Sequence, residues 1–174
     1  IIDGKIYTGF NFCGAELGHT VIQYGGRQCG CGRKGCFEAY SSATALINMT
    51  REAMEAHKDS KMWDICSGSI DNVDGKTAFD GWRAGDKAAS DVVDMYISYL
   101  GCGLTNIVNT FQPEVLLIGG GICKEGENLT KPLEEIIAKE AYSIDPNQST
   151  KLGICQLGND AGIIGAAFLY TLAD

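Results

Sequence analysis

Apolar and polar positions divide the chain into segments of different period. Residues 1–8 alternate, the period of a strand, and Asp3-Gly4 within them is a hairpin-turn signal. A glycine-rich ribbon then runs to Gly18 and reads as a loop. Residues 19–24 (HTVIQY) read as a short strand, and Gly25-Gly26 turns the chain after it. From Phe37 the pattern becomes helical. FEAYSS starts one short helix, and Ser42 and Ala43 lead into a longer one, with Leu46, Ile47, Met54 and Ala56 at mixed helical spacing. His57, near its end, lies among charges and reads as a solvated residue.

Residues 59–76 are polar, with DNVDGK at their centre, and 77–84 read as a short helix broken by Gly85. Asp86 then caps a long helix over 87–111, whose many apolar members suit burial on most faces, and Pro113 stops it. EVLLIGGGI follows as a short apolar strand that suits a central position covered on both sides. A helix over 128–142 carries Leu129, Leu133, Ile136 and Ile137 at i, i+3, i+4 spacing. Residues 151–157 form the next strand. Asn159-Asp160 opens the last helix, whose glycines and alanines permit close packing against a neighbour. Strand, loop, helices, then strand–helix–strand–helix predicts an α/β domain, a sheet covered by helices.

With 174 residues the chain is long enough for one domain with a real core. Its net charge of −8 argues against a nucleic-acid surface, which needs a basic patch. No apolar run reaches membrane-spanning length and no signal peptide opens the chain, so neither a membrane nor secretion is expected. IIDGKIY reads as the end of a hairpin already under way, so the chain is expected to be a fragment. Eight cysteines could suggest a secreted disulfide scaffold. Five of them (Cys13, Cys66, Cys102, Cys123 and Cys155) are scattered, and three of these sit in apolar or glycine-rich stretches where a free thiol behaves as a small hydrophobe. A reducing cytoplasm fits better.

The other three cysteines lie in the segment 13–38, CGAELGHTVIQYGGRQCGCGRKGCFE. His19, Cys29, Cys31 and Cys36 form H-x9-C-x-C-x4-C. Zinc takes four nitrogen or thiolate ligands in a tetrahedron, and Cys3His is a common structural set. Gly30, Gly32 and Gly35 let the backbone fold tightly enough for three sulfurs to face one ion. The same glycines match a dinucleotide-binding G-x-G-x-x-G, but Arg27-Gln28 precedes them where an apolar strand is required. Gly75-Lys76-Thr77 ends like a phosphate-binding P-loop, yet Ile70 stands where its first glycine belongs. Disulfides are the remaining competitor, and Cys29 and Cys31 are poorly spaced to pair with each other.

ELGH followed by CGCGRKGCFE resembles the signature of the ROK family, bacterial sugar kinases and related sugar-responsive repressors; FQPEVLLIGGGI and NDAGIIGAA resemble its C-terminal part. The resemblance implies an actin-like, ribonuclease-H-like sugar kinase fold, of which residues 1–174 would be the C-terminal domain without its N-terminal partner. It implies that His19, Cys29, Cys31 and Cys36 bind a structural zinc, and that Glu16, His19 and Glu38 touch a sugar. It places adenosine against Gly119, Gly120 and Gly121. For the whole protein it implies transfer of the ATP γ-phosphoryl to a hexose, glucose and its 6-hydroxyl leading, with Mg2+ and a homo-oligomeric state. The family's catalytic base falls outside this chain, and no aspartate here matches its motif. A sugar-responsive repressor is the alternative. Mannose, fructose and N-acetylmannosamine stay open beside glucose.

Overall fold

The structure, a computed structural model, describes residues 1–142, 149–158 and 160–168. Its elements follow as α1 (Glu38–Ser41), α2 (Ala43–Ala56), α3 (Met62–Ile65), α4 (Thr77–Arg83), α5 (Lys87–Phe111), β1 (Val115–Ile118), α6 (Glu127–Glu140), β2 (Lys151–Ile154) and α7 (Asp160–Phe168).

Helix α5 is the axis on which the others pack. Asp86 caps its start, accepting from the Ala89 N–H at 2.7 Å. At its end Gln112 adopts left-handed φ 41° before Pro113. Val92, Val93, Tyr96, Ile97, Leu100, Leu104 and Val108 are buried along it, against Leu46 and Met49 of α2, Phe79 of α4, and Leu129, Leu133 and Ile137 of α6. Two glycines set the spacing on this axis. A Cβ on Gly101 would stand 2.8 Å from Ile136 of α6, and one on Gly103 would overlap the ring of Phe37. Phe37 lies between Cys36 and Glu38, so the core grips the chain at the edge of the cysteine loop. Tyr96 adds a second grip, donating from its hydroxyl to the Ser41 carbonyl at 3.0 Å.

Residues 59–76 depart from the expected polar stretch. Met62, Cys66 and Val73 are buried with Met54, Ala88 and Ala89 in a second apolar cluster. The Trp63 indole N–H bridges to the Met54 and His57 carbonyls at 3.1 and 3.2 Å. Three apolar residues on a one-turn helix and a 3-10 turn are too few to show a period. His57 is exposed at the end of α2, as expected.

Asp86 ties this cluster to α5, since it also accepts from the Lys61 N–H at 2.7 Å. Burial works to raise its pKa, but hydrogen bonds from the Ala89 and Lys61 N–H groups, the Ser60 hydroxyl and the Ala88 N–H outweigh it, and the net shift is downward. A depressed carboxyl contributes stability that is present above its unfolded pKa, about 3.9, and lost as pH falls through the folded value. Asp86→Ala should therefore cost about 1–2 kcal/mol at neutral pH, the worth of a cap. Denaturant melts should show the gap between variant and wild type closing below the carboxylate range. A gap of equal size in acid would show that the charge contributes nothing.

β1 and β2 are parallel, in register from Val115↔Lys151 to Ile118↔Ile154. Leu116 and Ile118 face the core, but Val115 and Leu117 are 50% and 56% exposed. The expected two-sided burial is thus halved: among the described residues helices cover one face. Helix α7 departs likewise. Its described residues are exposed, and among the described residues nothing lies within 4 Å of a Cβ placed at Gly162 or Gly165. Residues 1–8 form no regular strand; Ile2 and Lys5 make one isolated bridge across an Asp3-Gly4 turn with both φ positive. No described helix is long and apolar enough to cross a membrane.

Candidate functional site

His19 ends a 3-10 turn, Leu17–His19, whose first carbonyl comes from Glu16: the His19 N–H donates to Glu16 O at 3.1 Å. Residues 19–24 do not form the expected strand. Val21 and Cys36 make an isolated bridge, while the Ile22 and Gln23 N–H groups both donate to Gly35 O, which ends regular pairing. Gly35 has φ 83°, and a side chain there would overlap the Gln23 carbonyl, so this crossing requires glycine. The cysteine loop closes on itself through the Cys29 N–H donating to Arg33 O at 2.9 Å and the Gly32 N–H donating to Cys29 O at 3.1 Å.

The loop is braced from outside by Arg27. Its guanidinium holds both carboxylate oxygens of Glu52 on α2, at 3.1 and 2.6 Å, and its N–H donates to the Tyr40 hydroxyl at 2.6 Å. Arg33 reaches back to the His19 carbonyl at 3.1 Å.

This bracing converges four ligand atoms. Those of His19, Cys29, Cys31 and Cys36 all lie within 4.8 Å of one another. His19 Nδ1 is 3.7 Å from Cys29 Sγ, and Cys31 Sγ is 3.6 Å from Cys36 Sγ. A tetrahedron with zinc–sulfur bonds of about 2.3 Å and a zinc–nitrogen bond of about 2.0 Å has edges of about 3.5–3.8 Å. The donor set and its spacing therefore fit zinc. Cys36 is fully enclosed, and burial together with the neighbouring thiols pushes its pKa up to about 11. The Arg33 N–H, with the other two thiols and the Arg33 charge, holds the Cys31 thiol below its ordinary value against the opposing effect of desolvation. Metal ligation requires all three as thiolates, which only a cation at their centre makes favourable.

Glu38 starts α1 directly after the last cysteine and its neighbour Phe37. Its Oε2 stands 3.4 Å from His19 Nδ1 and 3.9 Å from Cys29 Sγ. Beside this group opens a cleft of about 490 Å³, walled by His19, Cys29 and Glu38 on one side and by Thr44 and Asn48 on the other. Thr44 and Asn48 are one turn apart on α2, and the sequence reading did not single them out; their only signal is the i, i+4 spacing. Glu16 is exposed, held to His19 through its backbone, and its side chain is not part of the cleft wall. Gly119, Gly120 and Gly121 lie apart, at the C-terminal end of β1. All three are exposed, and φ 98° at Gly120 is open only to glycine without strain.

The model of the ROK family matches residues 1–172. The chain belongs to the ROK family. It is 37% identical over 172 residues to a glucokinase of Halalkalibacterium halodurans, covering 97% of this chain and 51% of that protein. A ROK family glucokinase from Streptomyces griseus, solved in complex with glucose and AMPPNP, superposes with a TM-score of 0.86 at 30% identity, over 97% of this chain and 55% of that one. Regulators of the family match as well. The xylose repressor of Bacillus subtilis is 28% identical over 167 residues, 95% of this chain and 38% of that protein. The chain thus spans about half the length of the ROK glucokinases it matches and shares the fold of ROK sugar kinases.

Proposed function

We propose that the protein is an ATP-dependent sugar kinase, with glucose the leading substrate and its 6-hydroxyl the acceptor, and that this chain supplies its zinc- and sugar-binding C-terminal part. One observation carries the reading. In a chain 37% identical to a glucokinase, a closed Cys3His set stands with the Glu38 carboxylate 3.4 Å from its histidine. Zinc would be structural there, because four protein ligands leave no open position for water. Its contribution is to hold His19 and Glu38 in one geometry. A carboxylate accepts from adjacent sugar hydroxyls, and Glu16, which stands outside the cleft wall of this chain, would have to turn inward to add a second. A site built this way discriminates strongly against analogues lacking a matched hydroxyl, since its polar groups would go unpaired. Gly119, Gly120 and Gly121 take the adenosine side, at the strand end where open α/β sheets bind ligands. No residue of this chain is assigned as the base. A reducing cytoplasm suits the free thiols.

Two results test this. The chain alone should show no sugar-dependent ATP consumption, whereas the full-length protein should phosphorylate glucose with Mg2+ present. Turnover by the isolated chain would mean that the catalytic groups lie here after all. Second, Glu38→Gln in the full-length protein should weaken glucose binding by about 1.5–3 kcal/mol, the worth of a charged hydrogen bond, at undiminished zinc content. Calorimetric titration showing a loss within about 0.5 kcal/mol, as for ordinary surface changes, removes Glu38 from the sugar site.

A sugar-responsive repressor is the second reading, favoured by the match to the xylose repressor. Full-length protein that binds glucose and a DNA site but consumes no ATP would establish it.

A further inference from the structure

Two cysteines outside the metal cluster are held at one carbonyl where the strands end. Cys155 follows β2 directly, and its backbone N–H donates to the Ile118 carbonyl at 2.8 Å. Cys123 sits in the 3-10 turn Gly121–Glu125, and its Sγ–H donates to that same carbonyl at 3.2 Å. One oxygen therefore holds both residues. Cys155 Sγ lies 3.5 Å from where a Cβ on Gly119 would stand, so its side chain rests on the first glycine of the loop. Both residues are half-buried and so reachable from solvent. Burial, and then the nearby Cys155 thiol, raises the pKa of Cys123. The remaining thiols are placed differently. Cys13 is exposed, Cys66 is buried against Thr77, and Cys102 is half-buried on α5.

We propose that Cys123 and Cys155 form a dithiol site that reacts with low-molecular-weight disulfides and closes to an intramolecular disulfide, tying β2 to the turn that follows Gly119, Gly120 and Gly121. The chemistry balances with the small disulfide as oxidant. One protein thiolate attacks a sulfur of the small disulfide, whose S–S bond breaks and releases a first small thiolate. The second protein thiolate attacks the protein sulfur of the mixed disulfide and releases another. The two released thiolates take up the two protons that the protein thiols lost. The protein loses two electrons and the small disulfide becomes two thiols. The cross-link fixes the chain on both sides of Gly120, whose φ of 98° sets the shape of the loop. Its functional consequence rests on the nucleotide assignment of that loop: a fixed loop can no longer adjust to ATP, and affinity falls.

The experiment uses zinc-loaded, full-length protein equilibrated with glutathione disulfide, alkylated, digested and mapped by mass spectrometry. A cross-linked Cys123–Cys155 peptide carrying no glutathione is expected, absent from Cys123→Ser and from Cys155→Ser. Stable glutathione adducts on both residues without a cross-link overturn the proposal. So does full alkylation of both under conditions where the exposed Cys13 has taken up glutathione. Calorimetry should show ATP binding about tenfold weaker in the cross-linked form, within the usual range of coupling between sites, and recovering with a phosphine reductant. Equal ATP affinity in both forms overturns the gating. A reduced form that binds no ATP overturns the nucleotide assignment instead and leaves the cross-link result standing.

Discussion

On the zinc and sugar assignments proposed above, Cys36→Ser should remove metal binding and sugar affinity together. Cys36 is the fully enclosed member of the cluster, 3.6 Å from Cys31 Sγ. Serine keeps the shape, but its hydroxyl does not replace a thiolate on zinc, and three ligands would remain where structural sites use four. The backbone bonds and the Arg27 brace hold the loop's outline, but three thiols and an imidazole keep their mutual spacing best when a cation joins them. Elemental analysis should fall from about one zinc per chain to well below that in the variant. Glucose binding should become undetectable by calorimetry, as His19 and Glu38 lose their common anchor. Cys66→Ser is the control. Cys66 is as buried but belongs to the second apolar cluster, so its loss should lower stability and leave the metal in place. Full zinc and unchanged glucose affinity in Cys36→Ser would remove the metal from any role in the site.

The cluster was legible in the sequence because its determinants are local. Ligand spacing and the intervening glycines mark which atoms can meet, and the Arg27–Glu52 brace to α2 only steadies that arrangement. Helix α5 was legible for a similar reason, with Asp86 as an N-cap at one end and Pro113 beyond the other. Elements decided by distant contacts were not. Residues 19–24 have a strand's composition, but Gly35 O takes two donors and the ladder never extends. Met62, Cys66 and Val73 look like isolated apolar residues until the end of α2 and the start of α5 close over them. Val115 and Leu117 read as core residues, yet among the described residues about half of each stays uncovered. The cleft wall of Thr44 and Asn48 depends on how α2 docks beside Glu38, which spacing in the sequence does not encode.

Gly103→Ala should damage the site from inside α5, without touching a ligand. A Cβ there would overlap the Cε2, Cδ2 and Cζ atoms of Phe37, and the ring has little room to retreat because it is buried in the main core. Relief requires Phe37 to swing out or α1 to lift from α5. Either movement displaces Glu38, the next residue, and strains the Tyr96 hydrogen bond to Ser41. Overpacking of this kind costs about 3 kcal/mol at the upper end of its usual range. In a domain of this size that should lower the melting temperature by about 6–12 °C. Sugar affinity should fall with it, while zinc content holds, since the four ligands precede Phe37 and are braced separately through Arg27 and Glu52. That split, metal retained and sugar lost, is what distinguishes a positioning role for the Phe37 seat from general unfolding. A melting temperature and glucose affinity both equal to wild type would show that Phe37 repacks freely and that the core does not hold Glu38 in place.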